Sequence, residues 1–153
     1  MATLDDLFGG GKKFPHTVNL KNAGDFVKGV ITKIETDAPV HEWDTSTKKI
    51  GLQKFWVDGK PKGVPADEAE RAGLNPVHQI MIHLSPFVGQ GSWMEKAGDE
   101  VRVPINSKDE REAFKAAVSD ADGSIDVGDT FGKKLDDRDG NKKYHTMKVA
   151  RPE

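Results

Sequence analysis

"EVRVPINSKDEREAFKAAVSDADG", Glu100 to Gly123, changes from a two-residue repeat to a helical one within a few residues. Val101, Val103 and Ile105 alternate with their neighbours and so line one face of a strand. Pro104 lacks an N–H, which fits a strand with an unpaired edge at that point. Ser-Lys-Asp-Glu, Ser107 to Glu110, is a capping box that starts a helix by satisfying backbone donors at its N-terminus. Phe114, Ala117, Val118 and Ala121 then recur at helical spacing as a narrow apolar stripe, and Gly123 ends it.

The rest of the chain is read outward from this strand–helix unit. "GDFVKGVITKIE", Gly24 to Glu35, is a long strand whose alternation slips at Gly29, as at a bend or bulge. "HQIMIHL", His78 to Leu84, sets Ile80, Ile82 and Leu84 against Met81 and His83. "FVGQGSW" and "EKAGDE" read as turns, and Trp93, with acids nearby, as a packing residue. "DVGDTFGKKL" and "KKYHTMKVA" are the last two strands, joined by "DDRDGN", in which Asp139-Gly140 is a hairpin signal. A long polar insertion, Thr36 to Val77, follows the first strand; its "PADEAERAGLNP" has room for a short helix ended by Gly73 and Pro76.

Strand, strand, strand, helix, strand, strand is the order of the OB-fold, a five-stranded Greek-key barrel with one α-helix between strands three and four. A generic α+β domain has the same content, but a curled first strand suits closure. The expected fold is therefore mainly β and OB-fold-like, with the long insertion after strand one. It occupies residues 15–153 behind a flexible leader, residues 1–14.

Composition narrows the function. The 153 residues fit one domain, and 35% hydrophobic with 31% charged residues describes a polar protein with a modest core. No apolar run is long enough to span a membrane, and no secretory signal follows Met1. The absence of Cys excludes thiolate metal sites and disulfides, which suits the cytosol. The net charge of −2 excludes a uniformly basic surface but not a local one. Between Asp44 and Pro65 five Lys (48, 49, 54, 60, 62) face two Asp (44, 58).

Those cations surround "LQKFWVDGKPKG", Leu52 to Gly63. Single-stranded nucleic acid exposes phosphates and base faces, so a binder indifferent to sequence needs cations and flat rings together. As strand neighbours, Phe55 and Trp56 point to opposite faces. Phe55 with Val57 reads as core-facing, and Trp56 beside Lys54 as outward; burial of both would need a strand covered on both sides. Trp43, in a polar loop, either contacts a ligand or pins the loop. Tyr144 alternates with Thr146 and Lys148, opposite Met147 and Val149, and stands beside Lys142 and Lys143. The other arm of that hairpin carries Lys133, Lys134 and Arg138, diluted by Asp136, Asp137 and Asp139. Candidate DNA contacts are thus Trp43, Lys49, Lys54, Trp56, Lys60, Lys62, Lys134, Lys142, Lys143 and Tyr144. Five scattered His, no HExxH and a calcium-loop register that fails at Leu135 leave no metal, cofactor or catalytic constellation.

Three stretches carry a resemblance: "KFWVDGKPKG", then "EREAFKAAVSDA" followed by "DVGDTF", then "DGNKKYHTMKV". In this order the chain resembles the single-stranded DNA-binding proteins of bacteriophages infecting actinobacteria, over roughly Gly24 to Arg151 in pieces. It departs at "GVPADEAERAGLNPV" and around Phe87 to Met94. The resemblance implies a non-catalytic protein, without cofactor, that coats single-stranded DNA in the host bacterial cytoplasm during phage replication or recombination. The leader's "LDDLF" is either a disordered terminus or a docking segment for phage or host replication and recombination proteins. A homo-oligomer remains open, as does an OB-like protein-interaction module of a replication or virion assembly. A nuclease lacks a visible ligand cluster.

Overall fold

The computed structural model describes residues 16–44, 46, 49–139 and 142–152, with the backbone alone for Trp43, Asp44 and Lys49. The leader and Gly140 of the hairpin signal lie outside these residues. The elements are β1 (His16–Thr17), β2 (Phe26–Pro39), β3 (His41–Asp44), β4 (Lys49–Val57), β5 (Lys60–Gly63), α1 (Ala66–Ala72), β6 (His78–Gln90), a 3-10 turn (Ser92–Lys96), β7 (Val101–Ile105), α2 (Lys108–Asp120), β8 (Thr130–Asp139) and β9 (Lys142–Ala150). The fold is mainly β. A six-stranded sheet runs β1-β7-β6-β2-β8-β9, and the insertion forms a three-stranded sheet, β3-β4-β5, followed by α1.

The strand–helix unit forms as its sequence dictates. Val101, Val103 and Ile105 are buried. Ser107 Oγ accepts from the Glu110 N–H at 3.1 Å, and the Glu110 carboxylate accepts from the Ser107 N–H at 3.1 Å. Ala117 is buried, and Phe114 meets Phe131 edge-on at 6.1 Å. β2 is bulged beyond Gly29, where β6 passes closely: a Cβ on Gly29 would lie 2.5 Å from the Pro86 carbonyl oxygen. Glycine is needed there for the approach of the two backbones.

The expected five-stranded barrel is met only in part: the sheet has six strands and, among the described residues, does not close. Its five longer strands follow one another as β7-β6-β2-β8-β9, but among the described residues β7 and β9 do not pair. The chain's own N-terminal segment runs between them. β1 lies parallel on the outer edge of β7, and the Val18 N–H donates to the Arg102 carbonyl at 2.9 Å. Val18 and Leu20 then bury their side chains, and the Leu20 carbonyl accepts from the Lys143 ammonium of β9 at 2.9 Å. α2 packs along β9, and Lys133 of β8 reaches the Pro104 carbonyl of β7 at 3.0 Å. An edge already engaged by β1 and a lysine has no place for a further strand.

Two other expectations change. "FVGQ", read as a turn, is the end of β6, paired with Phe26–Gly29 of β2. Pairing with an already ordered strand outweighs the turn preference of its glycine. Conversely, β8 starts at Thr130 rather than with "DVGD". Asp129 Oδ2 accepts from the Asp126 N–H at 2.9 Å, and Gly128 has φ 96°, so a local turn replaces the first residues of the ladder. The acidic "DDRD" then continues β8, with a register shift at Asp136.

Candidate nucleic-acid interface

The β4–β5 hairpin is set by its turn. Asp58 (φ 51°) and Gly59 (φ 77°) are both left-handed, as a two-residue type I′ turn requires. Val57 therefore pairs with Lys60, Trp56 with Pro61, Phe55 with Lys62 and Lys54 with Gly63. Pro61 falls where an N–H would point away from β4, so its missing donor costs the ladder nothing. Directly paired residues share a face. Leu52, Lys54, Trp56 and Pro61 thus lie on one side, and Phe55, Val57, Lys60 and Lys62 on the other.

Exposure matches that division in part. Trp56 is 43% exposed, while Phe55 and Val57 are half-buried rather than core. Their face looks towards α1 across a gap of about 250 Å³ lined by Val57, Lys62, Glu68 and Leu74. With Leu52 (45%), Trp56 forms an exposed apolar patch in which Lys54 is the cation; Ile50 (65%) is also exposed, but the register shift between β3 and β4 turns it to the opposite face. Lys60 and Lys62 belong to the opposite face. The expected basic, aromatic surface of the barrel is therefore split, and this part of it lies on the insertion's own sheet. Trp43 pairs with Ile50 and Lys49 with Asp44, but their side chains lie outside the described residues.

The six-stranded sheet carries a second candidate surface. Across β2, β8 and β9 one row reads Lys28, Gly132, Lys148, and the next reads Phe26, Lys134, Thr146. With Thr130 and Ala150 they line a groove of about 420 Å³. Its acid, Asp136, accepts from the Thr146 hydroxyl. Tyr144, 39% exposed, stands on the same outward face of β9, with the Lys142 ammonium 5.5 Å from its ring centre. Lys134 is where the sequence places it. Lys143 is not: it turns inward to the Leu20 carbonyl and ties down the N-terminal segment. Phe26, Lys28, Gly132 and Lys148 were missed, although the alternation that turns Tyr144 outward turns Lys148 outward with it.

Neighbouring lysines meet opposite fates. The side chain of Lys133 is 5% exposed, its ammonium held by the Glu110 carboxylate and the Pro104 carbonyl. Burial pulls the Lys133 pKa below its ordinary value, and Glu110 opposes that shift. For Glu110, burial alone would raise the pKa; the Lys133 charge and the hydrogen bonds from Lys133 and Ser107 outweigh it and hold the carboxyl below 4.5. Trp93 is a core residue as expected, donating from Nε1 to the Gln90 carbonyl at 3.1 Å over Gly89, whose Cβ would strike its ring. His83 is buried with Glu35 accepting from Nε2 and Glu100 3.8 Å from Nδ1. Among the described residues no group of three or more His, Cys, Asp or Glu is placed to hold a metal ion, and no helix is long and apolar enough to cross a membrane.

No protein-family model, curated protein or solved structure matches the chain.

Proposed function

We propose that this protein binds single-stranded DNA without strong sequence preference and protects it during phage DNA replication or recombination in the host bacterial cytoplasm. It acts without catalysis or cofactor, on an opened OB-type scaffold: the row β7-β6-β2-β8-β9, with α2 between β7 and β8, follows OB strand order. The carrying observation is Trp56, nearly half exposed beside Lys54 on the β4–β5 hairpin. An exposed indole on a strand is costly to solubility and useful to a ligand with flat apolar faces, which every base has. Tyr144 under Lys142 repeats the pairing on the large sheet.

Anisotropy titration of labelled oligo(dT) and of a duplex of equal length tests the reading. The single strand should bind more tightly, with log affinity falling linearly in log salt. A second reading is favoured by Leu52, an apolar extension of the Trp56 face, and by Ile50, exposed on the other side of β4, neither of which a polyanion requires. It makes the hairpin a protein-docking surface, in the leader's case too a matter of replication or recombination partners. Absence of oligo(dT) binding at low salt would decide for it.

A further inference from the structure

Gly132 is the third residue of β8 and is paired on both sides, a position where a glycine weakens a strand by roughly 0.5–1 kcal/mol relative to alanine. Other strand glycines here have a structural cause. A Cβ on Gly89 would lie 2.2 Å from the Trp93 ring, and one on Gly29 2.5 Å from a carbonyl oxygen. At Gly132 the nearest atoms to an added Cβ are the Val27 oxygen at 3.7 Å and Lys28 Cβ and Cγ at 3.8 Å, which is ordinary contact. Its φ is outside the left-handed range. The fold therefore has room for a side chain that the sequence does not supply. Strand glycines without an internal reason mark places where another chain comes close.

The surroundings say which chain. Lys28 and Lys148 flank Gly132 on the two neighbouring strands, and Lys134 stands two residues along β8. With strands about 4.8 Å apart, the two flanking Cα atoms are roughly 10 Å from each other. Among the described residues none of these three ammoniums has a carboxylate or carbonyl partner, whereas Lys133, Lys143 and Arg151 all do. We infer that the Gly132 groove is a backbone subsite for single-stranded DNA, with consecutive phosphates held by Lys28, Lys148 and Lys134 and the sugar passing over Gly132. This rests on the DNA-binding reading above and adds a site that the hairpin does not contain. Three cations converging on a floor without a side chain suit a thin polyanion.

The test is Gly132→Val, which supplies a β-branched residue to a strand and fills the groove floor. It should melt at or above the wild-type temperature and bind oligo(dT) at least tenfold more weakly. The paired variant Lys28→Gln/Lys148→Gln, confined to exposed side chains, should lower the slope of log affinity against log salt by about 1.4, or about 0.7 per lost phosphate contact. Wild-type affinity in a stable Gly132→Val overturns the subsite. Should Gly132→Val melt early, an unchanged salt slope in the lysine pair overturns it instead. In either case wild-type binding of oligo(dT) leaves the functional reading standing; if the wild-type protein itself fails to bind, that reading falls and the subsite with it.

Discussion

Trp56→Ala and Phe55→Ala separate binding from folding on adjacent residues. Complete burial makes Phe or Trp to Ala cost about 3–5 kcal/mol. Trp56 is 43% exposed, and its cross-strand neighbour is Pro61, a pair contribution of about 0.2–1 kcal/mol. Its removal should therefore cost about 1 kcal/mol of stability, which at this chain length lowers the melting temperature by about 2–4 °C. Loss of one base stack should weaken oligo(dT) binding by about 1–3 kcal/mol, roughly 5- to 150-fold. Phe55, half-buried on the α1 side, should show the reverse pattern: about half the full burial cost, near 2 kcal/mol, with affinity retained. Thermal melts and fluorescence titrations on the same preparations measure both. Trp93 is buried with its indole N–H engaged, so in a Trp43→Phe background quenching by oligo(dT) should fall sharply in Trp56→Ala. Wild-type affinity in Trp56→Ala, or affinity lost in Phe55→Ala at unchanged stability, would refute the face assignment.

Three further outcomes follow from individual contacts. Glu110→Ala should cost about 3–5 kcal/mol, because it strands the Lys133 ammonium in the interior, and Glu110→Ala/Lys133→Met should recover most of it. Glu110 has a folded pKa below its unfolded 4.5, so its contribution is complete above that pH and is lost as pH falls through the folded value. The gap in melting temperature between wild type and Glu110→Ala should accordingly narrow below pH 4.5. Lys143→Met should lower stability by about 1.5–3 kcal/mol, the scale of one hydrogen bond from a charged donor, and leave the salt dependence of binding unchanged. Lys54→Gln should reduce that salt slope by about 0.7, whereas Lys60→Gln and Lys62→Gln, behind the Trp56 face, should move it less; equal effects would place the ligand on both sides of the hairpin.

The N-terminal segment links the fold to the candidate surface. Residues 16–20 join the free edge of β7 to Lys143 on β9, and Arg138 donates to the Lys21 carbonyl at 2.6 Å. The hairpin that presents Tyr144 and Lys142 is therefore anchored from behind by cations that composition alone would assign to DNA. Charge counts overstate a binding surface when part of the charge holds the protein together.

What the sequence determined by itself lies where the deciding interactions span only a few residues. The capping box at Ser107, the alternation of Val101, Val103 and Ile105, and the outward run of Tyr144, Thr146 and Lys148 were legible because cap and strand period act locally. The Asp58-Gly59 turn was equally legible and would have placed Lys60 and Lys62 behind Trp56. Tertiary structure decided the rest. Whether the row of strands closes depends on the competition for the β7 edge, in which a segment some 85 residues away takes part. That "FVGQ" extends β6 depends on β2 lying beside it. Alternation predicts that Lys133 and Lys134 face opposite ways but not which one is interior. That choice belongs to Glu110 and the Pro104 carbonyl, whose partnership compensates a buried ammonium and leaves its neighbour in the open groove.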